Sequence, residues 1–172
     1  NALTYPDLIA VLALFLLALA ALLQIGTILA EHLNRWIIYR KASAIARDIG
    51  KPLLVMGRPM RPWVHGCGDV TLDMDPRVAS ECPNSVVADV RHLPFQDNSF
   101  GAVFCSHVLE ELDSPESFRL AIKEMHRVAK EVFVAYTLAT NLWWRHLSPK
   151  NRLTLRRVGK DILASRRKGL LR

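Results

Sequence analysis

The stretch "LLVMGRPMRPWVHGCGDVTLDMDP", Leu53 to Pro76, decides how this chain folds. It opens with a short apolar run that ends at Gly57. It closes with a second run that ends in the acidic residue Asp73. Short apolar runs bounded by glycine and turn residues read as buried strands. Two further runs follow, "SVVADV" and "FGAVFCSHVL", and then a fifth, "EVFVAYT". Between the last two lies "SPESFRLAIKEMHRVAK", with Asp113 or Ser114 as helix cap and Pro115 in the first turn. Its apolar stripe is Phe118, Ala121, Ile122, Met125 and Ala129. Strands apolar on both faces, interleaved with helical segments, predict an α/β domain with a parallel sheet of about five strands.

Upstream of this domain, Leu8 to Ala30 runs 23 residues without a charge. As a helix it is about 35 Å long, enough to cross a bilayer core. A secretory signal would have a basic start and a shorter apolar run. Basic residues Arg35, Arg40, Lys41 and Arg47 follow the run and none precedes it. The positive-inside bias then puts the domain on the cytoplasmic side of a cell membrane, as a single-pass protein. Helical periodicity continues through Ile37, Ile38, Ala42, Ile45, Ala46 and Ile49, to a stop at Gly50 and Pro52. The expected organisation is a transmembrane helix over 1–30, a membrane-proximal helix over 31–51, the α/β domain over 52–140 and a basic amphipathic tail over 141–172.

The net charge of +7 is unevenly spread. Residues 52–144 carry eight Lys/Arg against twelve Asp/Glu, whereas 145–172 carry ten against Asp161 alone. The high isoelectric point therefore reports one basic tail and gives no support to a nucleic-acid-binding domain. In the tail, Trp143, Trp144, Arg145, Arg156, Arg157, Arg166, Arg167 and Lys168 suit a membrane interface. Leu153, Leu155, Val158, Ile162 and Leu163 supply an apolar face for such a segment. Each cation near anionic lipid contributes about 1 kcal/mol. Cys67, Cys82 and Cys105 have no metal-like spacing, and in a cytoplasmic domain they are expected as thiols, with no metal site.

In doubly wound sheets the ligand sits beyond the carboxyl ends of the strands. Gly57, Asp73 and Asp89 fall at three successive strand ends, where glycine admits a ligand and a carboxylate accepts ribose hydroxyls or faces a base. Glycine that turns the chain and aspartate that caps a turn are the alternatives at each position.

"VTLDMDP", "VVADVRHLPFQDNSFGAVFCSHVLEEL" and "AIKEMHRVAK" together resemble the class I S-adenosylmethionine-dependent methyltransferases, over residues 53 to about 137. The resemblance implies a Rossmann-like fold, with Asp73 on the cofactor ribose, Asp89 facing its adenine, and Met74 and Val90 also at the cofactor. Gly57 would stand beside the methionine moiety. The departures matter as much. The family's GxGxG loop is replaced by Gly57-Arg58-Pro59, and Pro62 follows, so amide donors are lost. Only thirteen residues lead from Gly57 to Val70, barely the length of a crossover with its helix. "GCG" at Gly66–Gly68 precedes a strand rather than opening a helix. Gly101 stands where the family has aspartate, and Glu111 where many members have histidine. These departures favour a binding or assembly module of a membrane complex, without S-adenosylmethionine, over a membrane-anchored methyltransferase acting on a lipid or small molecule.

Overall fold

The computed structural model describes residues 4–59, 66–137, 152–158 and 161–166. One helix, α1 (Tyr5–Ile49), contains both the apolar run and the membrane-proximal segment without a break. Gly50 ends it in the left-handed conformation, φ +70°, with its amide turned back to the carbonyls of Ala46 and Arg47. Three residues later the first strand begins.

The sheet consists of β1 (Leu53–Met56), β2 (Val70–Asp73), β3 (Ser85–Val87), β4 (Ala102–Ser106) and β5 (Glu131–Ala135). All neighbours are parallel and the order is β3-β2-β1-β4-β5, the doubly wound arrangement the sequence predicts. Every residue of β1 and β4 is buried, as their unbroken apolar runs require. The crossover from β2 to β3 carries a single helical turn, α2 (Pro76–Ala79). Helix α3 (Pro115–Val128) joins β4 to β5, and Ser114 caps it by accepting from the Ser117 amide. Phe118, Ala121 and Met125 form its buried stripe, with Ile122 packed beside them.

A parallel sheet must be covered on both faces. Helix α3 covers one. The other is covered by the C-terminal half of α1, whose Ala42 and Ala46 are buried against Leu53, Val55, Ala102 and Phe104. Tyr39 meets Phe104 edge to face at 5.5 Å. The helix runs so close here that a Cβ on Gly101 would stand 2.8 Å from the Ala46 Cα. That contact explains why glycine replaces the family's aspartate at this position. The expected stripe on α1 holds for Ile38, Ala42, Ile45 and Ala46, whereas Ile37 and Ile49 are exposed.

Two features differ from expectation, and a third lies outside the described residues. First, Cys67 and Cys82 form a disulfide, and only Cys105 is a buried thiol. Each cysteine lies three residues before its strand, and β2 and β3 are parallel neighbours, so the fold sets them side by side. Closing a 15-residue loop stabilises a fold by about 3 kcal/mol. Reduction, or Cys82→Ser, is therefore expected to cost about that much in a denaturant titration. An unchanged midpoint would mean the bond does not form.

Second, the segment expected to be a basic amphipathic tail folds, where described, as an antiparallel hairpin of β6 (Leu153–Val158) and β7 (Asp161–Arg166). Leu153 and Leu155 are buried in the main core, with Ile162 and Ala164 packed on it. Their period of two is that of a half-buried strand pair. This stretch thus belongs to the domain rather than to a separate tail. Arg156, Arg157 and Arg166 are exposed on it, while Trp143, Trp144, Arg145, Arg167 and Lys168 lie outside the described residues. Third, the interior of the β1–β2 crossover, with Pro62, also lies outside them, while Gly57–Pro59 and Gly66–Asp69 on either side are not helical.

Candidate functional site

The topological switch point of this sheet lies between β1 and β4. Gly57 leaves β1 with φ +92°, and an added Cβ would stand 2.5 Å from the Ser106 carbonyl oxygen. Glycine is required here by the neighbouring strand, whether or not a ligand approaches.

The other residues named from the resemblance stand where they were expected along the chain, but their surroundings differ. The Asp73 carboxylate accepts from the Asp75 amide at 2.8 Å, which shapes the turn into α2. Met74 is 70% exposed beside it. Val90 is buried in the main core, to which Leu93, Phe100 and Leu109 also belong. Asp89 is gripped by Arg91. Its Oδ1 accepts from the Arg91 amide at 2.9 Å and from Nε at 3.0 Å. Its Oδ2 accepts from Nε at 2.9 Å and from Nη2 at 2.6 Å. These bonds hold the carboxyl below its ordinary range and engage both of its oxygens.

The "HLPFQDN" loop is fastened by a different arginine. Arg127 of α3 donates to the carbonyls of Leu93 and Phe95 and to the carboxylates of Glu124 and Asp97. Glu124 also accepts the Leu93 amide, and with Arg127 beside it its carboxyl falls to about 2. The motif and the "HRVAK" segment belong together for this reason.

A buried polar cluster among the described residues has no counterpart in the sequence analysis. It lies at the carboxyl ends of β4 and β5, where α1 crosses them. His107 follows β4 with φ +55°, an uncommon conformation for a residue with a side chain. Its Nε2 meets Arg35 and lies 3.3 Å from Glu31, both on α1. Its Nδ1 faces Thr137 at 3.4 Å and Glu110 at 3.6 Å. Arg35 donates to Glu31 at 3.2 Å, four residues away on the same helix face. Glu110, in a 3-10 turn (Leu109–Glu111), is 3% exposed. One of its oxygens accepts the Thr137 amide at 2.7 Å, and Oε2 has no hydrogen-bond partner among the described residues. Burial raises its carboxyl to about 7. No set of three potential metal ligands is grouped among the described residues.

The members of this cluster lie at positions 31, 35, 107, 110 and 137. Two local pairs, Glu31 with Arg35 and His107 with Glu110, are brought together only by the fold. The available signal was Glu31 and Arg35, two charges one helical turn apart directly after an uncharged span.

The strand order, the acidic end of β2 and the β4–α3–β5 segment define a class I methyltransferase-like domain. Comparison agrees: residues 58–132 match the protein family described as "Methyltransferase domain". Residues 58–132 thus form a methyltransferase-like domain on a Rossmann-like parallel sheet, preceded in the chain by a long apolar helix. Among solved structures it is similar to the PH0226 protein from Pyrococcus horikoshii OT3, at 14% identity. That likeness covers 72% of this chain and 71% of the other, with a TM-score of 0.42. No curated protein matches the chain significantly.

Proposed function

We propose that this protein is a membrane-anchored methyltransferase-like module that binds a ligand at the carboxyl edge of its sheet without transferring methyl groups. It serves as an accessory subunit of a membrane complex. Helix α1 is long and apolar enough to cross a membrane, and Leu12, Phe15, Leu19, Leu22 and Leu29 along it are exposed. A core helix would bury such residues.

The observation that carries the non-catalytic reading is Arg91 on Asp89. The carboxylate that should meet the adenine is already spent on four short bonds to one neighbour. Methyl transfer by this fold depends mainly on holding the donor in place, so loss of that grip weighs more than loss of any acid or base. The short route from Gly57 to Val70 supports the same reading.

The test is transfer itself. Purified full-length protein in vesicles, given methyl-labelled S-adenosylmethionine, is expected to place no label in lipid or in added small molecules. Label incorporation above that of a heat-inactivated control would overturn the reading. A membrane-anchored methyltransferase is the second reading, favoured by His107 and the buried Glu110 at the end of β4.

Two features bear on which side of the membrane holds the domain. The basic residues after the span favour the cytoplasmic side. The disulfide favours an oxidising compartment. We adopt the cytoplasmic side of the cell membrane, because the charge bias acts directly on insertion. Protease protection in sealed vesicles decides between them. Arg156, Arg157 and Arg166 on the hairpin, together with Trp143, Trp144, Arg145, Arg167 and Lys168, would meet anionic headgroups.

A further inference from the structure

The direction of α1 relative to the sheet determines where the ligand comes from. Going back along the helix from Ala46 to Tyr39 to Arg35, its contacts move along β4 from Gly101 to Phe104 to His107. The helix and β4 therefore run antiparallel, and the carboxyl edge of the sheet points toward the apolar end of the helix. Arg35 is five residues beyond Ala30, the last residue of the uncharged run, which is about 7.5 Å along the axis. From Tyr5 to Trp36, both exposed, is about 46 Å of helix. A bilayer measures about 40–45 Å with its headgroups, and aromatic residues favour its two interfaces. Trp36 and Arg35 thus stand at headgroup level, and so does the cluster that Arg35 shares with His107.

The site at that level is buried and chemically incomplete. Glu110 lacks a donor to Oε2 among the described residues. A buried acceptor so placed is destabilising unless a donor is supplied. Thr137, His107 and Glu110 hold the sheet side of the site, and Glu31 and Arg35 hold the helix side. The hairpin starts against the same turn, where the Arg152 amide donates to the Glu110 carbonyl at 2.7 Å. It sets the exposed Arg166 across from Leu153.

We propose that the carboxyl edge of the sheet faces the bilayer and that the Glu31–Arg35–His107–Glu110 cluster receives the amine of a lipid headgroup. The inference rests on reading this edge as the ligand site, and it names the ligand's chemical class and source. An ammonium supplies the N–H donor that Glu110 lacks. A quaternary choline cannot.

Two measurements on the full chain in vesicles test it. Spin labels are placed at Asp113→Cys, beyond the carboxyl edge, and at Lys130→Cys, before β5 at the opposite edge; the new thiol is the only accessible one, Cys105 being buried. The Asp113 label is expected to be shielded from an aqueous relaxation agent and the Lys130 label open to it. Equal access at both overturns the orientation. In the second, phosphatidylethanolamine added to phosphatidylcholine vesicles is expected to raise the unfolding temperature of the wild type but not of Glu110→Gln. Soluble glycerophosphoethanolamine at the same headgroup concentration is expected to have no effect. An equal rise with the soluble compound overturns the lipid source, and no rise with the lipid overturns the amine. If Glu110→Gln does not fold, Glu31→Gln replaces it in the same comparison. None of these readouts involves S-adenosylmethionine, so they can fail while the non-catalytic reading stands, or the reverse.

Discussion

Replacing Gly101 by aspartate, the residue methyltransferases of this class carry there, is expected to detach α1 from the sheet and destabilise the domain by about 3 kcal/mol or more. The contact is backbone against backbone: a Cβ would lie 2.8 Å from the Ala46 Cα, 3.0 Å from the Ala46 carbonyl oxygen and 3.1 Å from that of Lys51. No rotamer relieves it. Overpacking alone costs about 1–3 kcal/mol, which is the range expected for Gly101→Ala. Aspartate also forces a carboxylate against two carbonyl oxygens. Urea unfolding of the full chain in detergent measures both variants. If Gly101→Asp matched the wild type, α1 would not be covering the sheet, and the geometry that brings Arg35 to His107 would fall with it.

Glu110 gives the second large effect. Its folded carboxyl is raised from 4.5 to about 7, first by burial. The folded state therefore holds this proton more tightly than the unfolded chain does. Below about pH 4.5 the group is protonated in both states and costs nothing. As pH rises through 4.5 to 7 the unfolded chain releases the proton first, so stability falls. The loss levels off above about pH 7, at about 3 kcal/mol if the group acts alone. Glu31, Arg35 and His107 stand in the same buried cluster, so the part due to Glu110 is read from the difference between wild type and variant. Glu110→Gln is expected to flatten the fall across this window in a series of denaturant titrations at stepped pH. A wild-type curve that rose from pH 5 to 7.5 would contradict the assignment.

Much of the fold was legible in the sequence for a physical reason. Strands buried on both faces announce themselves as apolar runs, and α3 carries its cap, its proline and its stripe within one local stretch. What was not legible depends on the third dimension. The disulfide needs parallel register between β2 and β3. The hairpin's period of two lies in a basic stretch whose composition equally suits an amphipathic tail. Gly101 looked like decay of a family motif until Ala46 was seen against it. The candidate site shows the same division. Asp73 and Asp89 were located from their strand ends, yet only the fold reveals that Arg91 occupies one of them. The Glu31–Arg35–His107–Glu110 cluster joins a pair on α1 to a pair just after β4, more than seventy residues apart in sequence.

The contest between Arg91 and adenine for Asp89 is where the account is most exposed. Calorimetric titration of the full-length protein with S-adenosylmethionine, run beside Arg91→Ala, measures it directly. The account predicts no saturable heat for the wild type, and measurable binding only once Arg91 no longer forks onto the carboxylate. Micromolar binding by the wild type, unchanged in Arg91→Ala, would show that the cofactor grip is intact and contradict it.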